Sequence, residues 1–258
     1  PVLSSAASDV YKRQTYGIYL KMSDFKIGID YGGTKIEGIL IDSNGKEILR
    51  KRSTYEKNYE SGLNTVKSLV SEFDKFTDQQ NSVGVCIPGF SSYETGLVNN
   101  ANCIWINDKP FHKDLEKSLN REIRIMNDAN CFALSEAIDG SGANYKSVWG
   151  VIIGSGFGGS FVYEKKVIEG VNQIAGDWGH QPLPYPTEEE INSNVQCNVG
   201  NCKRPLCAEQ FISGIGFTKL FNEKYGTSLR TREIVALEAN GDERAKKEFE
   251  LYEDRFAR

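Results

Sequence analysis

The chain has 258 residues, 39% of them hydrophobic, and a formal net charge of −4. That length suits one large domain or two modest ones, and the apolar share is enough for a buried core. The acidic balance argues against a nucleic-acid partner, and no apolar run reaches the ~20 residues of a membrane-spanning helix. The six cysteines form no secreted disulfide framework and fit a reducing cytoplasm. Cys86, Cys103 and Cys131 stand singly in or near apolar stretches, as small core residues do. Cys197, Cys202 and Cys207 cluster, which is a different signal.

Residues 1–22 contain SSAASDVYKRQ, show no period and lack the apolar centre of a signal peptide. The stretch resembles translated adapter sequence, and it is set aside as a non-native or disordered extension, with Met22 the expected start. Residues 25–30 read as a buried strand, 35–42 as a second and 47–54 as a third, with Ser43-Asn44-Gly45 turning between the last two. A β-meander of this kind is not how a dinucleotide-binding domain opens. Leu63, Val66, Leu69, Val70 and Phe73 share one helical face. Residues 83–87 form a strand stopped by Pro88-Gly89. Phe111, Leu115 and Leu119 mark a helix, 123–127 a strand, 129–138 a helix and 148–153 a buried strand. The tail, 231–258, is helical and broken at Asn240-Gly241, with Asp242 as an N-cap.

The segment Asp30-Tyr31-Gly32-Gly33-Thr34-Lys35 ends a strand with an acid and lets the backbone bend at two glycines. Its N–H groups, Thr34 and Lys35 could face a phosphate, and Asp30 could hold Mg²⁺; an ordinary hairpin turn fits the same residues. Gly154-Ser155-Gly156-Phe157-Gly158-Gly159 satisfies the dinucleotide pattern G-x-G-x-x-G. The residues beyond it read as a strand over 160–163 and a Glu164-Lys165 turn, not the helix that pattern needs. Strand–glycine loop–strand is a phosphate hairpin, which disfavours an NAD enzyme.

With both hairpins placed, the chain resembles the ROK family of sugar kinases and regulators. DYGGTKIEG, IPGF, NNANCIWIN, NDANCFALSEAIDG, VIIGSGFGG, AGDWGHQPLP and CAEQFISGIGF come in that family's order, from Phe25 onward. The resemblance implies an α/β fold of the sugar kinase/actin-like (ribonuclease H-like) type. It implies an N-terminal domain over 23–126 and a C-terminal domain over 127–258, with a cleft between them. It also implies a C-terminal truncation, with part of the adenine wall absent.

By the same resemblance, Asp128 is the base that takes the proton of a sugar hydroxyl; taken alone, its position equally suits a helix N-cap. Asp30, Gly32, Gly33, Thr34, Lys35, Gly154, Ser155, Gly156, Gly158 and Gly159 would bind ATP. Asn100 or Asn102, Asn127, Asp128 itself, Asp177, His180 and Glu209 would bind the sugar. The family motif has glutamate where this chain has Asp177, one methylene shorter. His180, Cys197, Cys202 and Cys207 would hold a structural Zn²⁺, although Cys197 is displaced by three residues from the family spacing. His112 has no motif and reads as a surface residue. The expected activity is ATP-dependent phosphorylation of the 6-hydroxyl of fructose or mannose, with glucose also open, as in the family's fructose and mannose kinases. A sugar-binding protein without kinase activity is the alternative. A repressor is disfavoured, because only an unpatterned stub precedes Phe25. A homodimer is left open.

Overall fold

The structure, a computed structural model, describes residues 24–193, 195–197 and 202–258. The extension expected over 1–22 lies outside these residues. Strands β1 (Phe25–Tyr31), β2 (Lys35–Asp42) and β3 (Glu47–Thr54) form the expected antiparallel meander. Helix α1 (Tyr59–Thr77) crosses to β4 (Ser82–Ile87), and helix α2 (Phe111–Leu119) crosses to β7 (Arg124–Asn127). Both strands join the sheet in parallel, giving the order β3-β2-β1-β4-β7. Between them, β5 (Phe90–Ser91) and β6 (Val98–Asn99) make a small hairpin.

The sequence explains this half directly. Asn58 caps α1 by accepting the Ser61 N–H, and the face predicted from the apolar spacing is the buried face. Phe73 from that face packs against Gly38 of β2, where an added Cβ would come within 2.7 Å of its ring. One core joins residues drawn only from 27–123.

Helix α3 (Asp128–Ile138) follows β7 without a loop and packs on a second sheet of order β10-β9-β8. Here β8 (Ser147–Ile153) and β9 (Phe157–Tyr163) pair antiparallel around the second glycine loop, with Ile153 opposite Phe157. β10 (Lys166–Val167) follows a turn at Glu164 and Lys165, both at positive φ. The second glycine segment is therefore a strand–loop–strand, as its sequence predicts. Helices α4 (Glu188–Asn192), α5 (Ala208–Ile212) and α6 (Gly214–Tyr225) precede the tail. The tail is α7 (Thr231–Ala239) and α8 (Glu243–Ala257), capped by Asp242 as expected. No helix among the described residues is long and apolar enough to cross a membrane.

The polar run beginning at Glu188, which in sequence shows little core of its own, is tied to the last helix by the ion pairs of Glu190. Glu190 is 2% exposed and accepts from Arg255 Nε at 2.7 Å and from Arg258 Nη2 at 2.8 Å. Burial alone would raise this carboxyl. Arg258, Arg255 and the Thr187 N–H outweigh burial and hold its pKa at about 2, against 4.5 for a free glutamate. A depressed carboxylate pKa contributes stability that is complete above about pH 4.5 and is lost as pH falls toward 2. Glu190→Ala should destabilise the protein by about 3 kcal/mol at neutral pH, the lower end for a buried pair because Arg258 can reach solvent. Urea unfolding checks this, and the gap between variant and parent should narrow from pH 5 to pH 3.

Candidate active site

Three parallel strands end side by side. Asp30 on β1 pairs with Cys86 on β4, Cys86 with Met126 on β7, and Ile87 with Asn127. Loops at the carboxyl ends of such strands are where α/β sheets place ligands. The β4 end turns at Gly89, where φ is +99° and an added Cβ would stand 2.6 Å from the Asn99 carbonyl oxygen, so a side chain is excluded. The β7 end runs straight into α3. A cleft of about 590 Å³ opens here, with the second sheet as its far wall.

Asn127, not Asp128, caps the helix. Its Oδ1 accepts the Asn130 N–H at 3.2 Å, and its Nδ2 donates to the Gly89 carbonyl at 3.0 Å and to Asp128 Oδ1 at 3.1 Å. The capping role open to Asp128 from sequence is thus taken by its neighbour. Asp128 Oδ1 also accepts the Ala129 N–H at 2.8 Å. The carboxylate is open to the cleft, but the crowded walls disfavour its charge and raise its pKa above the usual aspartate value. The Ala129 N–H and Asn127 oppose this, and the nearby Asp30 charge adds to it. The result is a fixed carboxylate with a raised proton affinity, facing a cavity large enough for a monosaccharide.

The cleft that holds Asp128 is also lined by Asp177, His180 and Glu209. Gly179 brings them together, because its backbone lies so close to the Phe157 carbonyl that a Cβ would stand 1.7 Å from that oxygen. The Gly179 carbonyl in turn accepts the Glu209 N–H at 2.8 Å. Glu209 is 6% exposed; its Oε2 accepts the Phe157 N–H at 3.2 Å, while Oε1 is buried without a partner. An orphaned buried carboxylate oxygen beside a cleft is a waiting acceptor. Burial raises the Asp177 pKa, with His180 and the Gly179 N–H opposing.

Asn100, Asn102, Asn127, Gly154, Ser155, Gly156, Gly158 and Gly159 line the same cleft. Gly32, Gly33, Thr34 and Lys35 do not. They form their own hairpin, in which the Gly32 N–H donates to the Lys35 carbonyl at 3.1 Å. Asp30 lies outside the cleft wall but near enough for its charge to act on Asp128. A second, mainly apolar chamber of about 340 Å³ lies behind Gly154 and Ser155, walled by Ile215, Phe217, Val235 and Tyr252. The sequence gives no sign of it, nor of Gln173, Ile174 and Asn130 in the cleft wall. Asn130 belongs to the NDAN segment, but the sequence assigns it no role beyond that membership. His112 is half-buried rather than superficial, with Nε2 3.1 Å from the Ile123 carbonyl.

The donor atoms of His180, Cys197, Cys202 and Cys207 lie within 4.8 Å of one another. His180 Nδ1 is 3.7 Å from Cys197 Sγ and 3.5 Å from Cys207 Sγ. A tetrahedral zinc with metal–sulfur bonds of about 2.3 Å has edges of about 3.7 Å, so these spacings fit. The displaced Cys197 reaches the cluster through a short bridge, Gln196 against Pro205. Burial pushes the Cys207 thiol up to about 12; the Glu209 N–H lowers it, and Cys197 and Cys202 raise it. Thiols packed this way stay protonated unless a cation joins them.

Residues 26–258 match the ROK family sequence profile. The N-acetyl-D-glucosamine kinase of Pasteurella multocida is 38% identical over 232 residues, covering 88% of this chain and 75% of that one. Among solved structures, the ROK hexokinase of Thermus thermophilus superposes with a TM-score of 0.74 at 22% identity, covering 87% of this chain and 72% of that one. A ROK glucokinase from Streptomyces griseus, solved with glucose and AMPPNP, gives 0.66 at 20% identity over 88% of this chain and 75% of that one. These structures show the shared fold, and the expectation of a fructose or mannose substrate is not confirmed by any of the three. The chain belongs to the ROK family and is similar to its sugar kinases.

Proposed function

We propose that the chain transfers the γ-phosphoryl group of ATP to the 6-hydroxyl of a hexose, with Asp128 as the base. The observation that carries this reading is Asp128 itself, held by Asn127 in the wall of a monosaccharide-sized cleft that Asp177, His180 and Glu209 also line. The sugar oxygen attacks the γ-phosphorus, the bond from that phosphorus to the β–γ bridging oxygen breaks, and its electron pair leaves with ADP. The hydroxyl proton passes to Asp128, late in a loose transition state, so that positioning matters more than basicity. The glycine hairpin over 154–159 would hold the phosphates, and the apolar chamber behind it would take the adenine. The first hairpin, Gly32 to Lys35, would reach them as residues 23–126 close on 127–258, expelling water that competes for the phosphoryl group.

Mg²⁺ would neutralise phosphate charge. Asp30 suits it, since among the described residues its carboxylate pairs with no Lys or Arg and takes only the Cys86 thiol, at 3.5 Å. His180, Cys197, Cys202 and Cys207 would hold a structural Zn²⁺ in a reducing cytoplasm. His180 also lines the cleft, so the metal would fix one wall of the sugar site.

For the hexose we propose N-acetyl-D-glucosamine in preference to fructose, mannose or glucose. The N-acetyl-D-glucosamine kinases at 38% and 39% identity support this choice. So do Ile104 and Ile174, exposed apolar residues on the cleft wall that an acetamido methyl could cover. A coupled assay across a sugar panel should give N-acetyl-D-glucosamine the highest kcat/KM, by about tenfold to a hundredfold, the worth of a small apolar group in its pocket. Fructose or mannose in first place would overturn the choice. Elemental analysis of protein purified without added metal should find one zinc per chain, and Cys202→Ser should lose it. Sugar affinity indifferent to a strong chelator would refute the structural role.

A further inference from the structure

Asn130 is 6% exposed and belongs to the first turn of α3, two residues after Asp128. Ser160, fully buried on β9, comes directly after Gly159 of the second glycine hairpin. The Ser160 hydroxyl donates to Asn130 Oδ1 at 2.6 Å. In this arrangement the amide oxygen faces β9 and the nitrogen is turned away. Among the described residues no protein group accepts from Asn130 Nδ2, and the side chain lines the cleft with Asp128 and Gly159. The nitrogen is not sealed in like the Glu209 oxygen: it opens to the cleft, where an atom of a bound ligand can accept from it.

We propose that Asn130 donates its side-chain N–H to an oxygen of the transferring phosphoryl group, with Ser160 as the residue that positions the amide. This rests on the kinase reading of the site. The place supports it: Asn130 stands between the base at the attacking hydroxyl and the hairpin that would hold the phosphates, where charge spreads over the equatorial oxygens. The chemistry supports it as well. A preorganised neutral donor stabilises that charge without cost of reorganisation. A lysine or arginine at this position would instead pair with Asp128 and depress its affinity for the proton.

Asn130→Asp is nearly isosteric and keeps an acceptor for Ser160, so it holds the local structure while removing the donor. Asn130→Ala removes the donor without adding charge. Both should lower kcat by about 100-fold or more, the usual effect of deleting one such donor. Sugar affinity by calorimetry should stay at the parent value, while the thermal midpoint of Asn130→Ala should fall by a few degrees because the buried Ser160 hydroxyl loses its acceptor. Ser160→Ala, which frees the amide to rotate, should lower kcat by a smaller factor with sugar KM unchanged. A folded Asn130→Ala with parental kcat overturns the proposal, even if Asn130→Asp is slow, because repulsion alone would then explain the slow variant. A raised sugar KM with kcat intact also overturns it, by assigning Asn130 to the sugar. If the parent chain phosphorylates no hexose in the panel, the kinase reading fails and this inference fails with it.

Discussion

One amide side chain governs the geometry on which the site depends. Asn127 ends β7, ties the Gly89 turn at the end of β4, caps α3 and steadies Asp128. Each bond is ordinary in strength, about 1 kcal/mol net. Their joint effect is to lock two strand ends and a helix start into one register. A carboxylate on a free loop would sample many orientations. Here the first helical residue inherits its direction from the sheet, and the capping duty that would have occupied its oxygens belongs to its neighbour.

The opposite wall is built by close approach rather than by a cap. Gly179 lies directly on the β9 backbone, and only a residue without a side chain allows it. Asp177 lies two residues before that point and His180 one after it, while the Gly179 carbonyl accepts the Glu209 N–H and faces the Cys207 thiol at 3.6 Å. This wall of the cleft and the Cys/His cluster are therefore one unit sharing His180. The Glu190–Arg255–Arg258 group holds the far side of the same region to the last helix. Loss of order in any of these parts would be felt in the cleft before it was felt in the N-terminal core.

Much of this was legible in the sequence. Alternation and helical spacing marked the meander, α1, α2 and the capped tail, because these elements are amphipathic and their caps are local. The glycine hairpin was distinguishable from a dinucleotide turn because the residues after it read as a strand. Sequence could place the cysteines and His180 as candidates, but not decide whether displaced Cys197 reaches them; the Gln196–Pro205 bridge does that. What stayed hidden was long-range. Nothing near Glu190 announces partners 65 and 68 residues later. Nor does Asn130 announce Ser160, 30 residues on. The choice between Asn127 and Asp128 as cap turns on one residue of register, which propensity does not resolve. Short helices α4 and α5 carry too few turns for a period to show.

The proposed chemistry of the cleft turns on Asp128 as the proton acceptor, and a pH–rate profile of the parent against Asp128→Asn tests that most directly. The raised proton affinity predicts that kcat/KM falls on the acid side of a midpoint above the ordinary aspartate value, because the base must be unprotonated to work. Asp128→Asn should cut turnover by several orders of magnitude, remove that acid limb from any residual rate and leave sugar binding intact. Near-parental turnover in the variant, with the acid limb unchanged, would contradict that role.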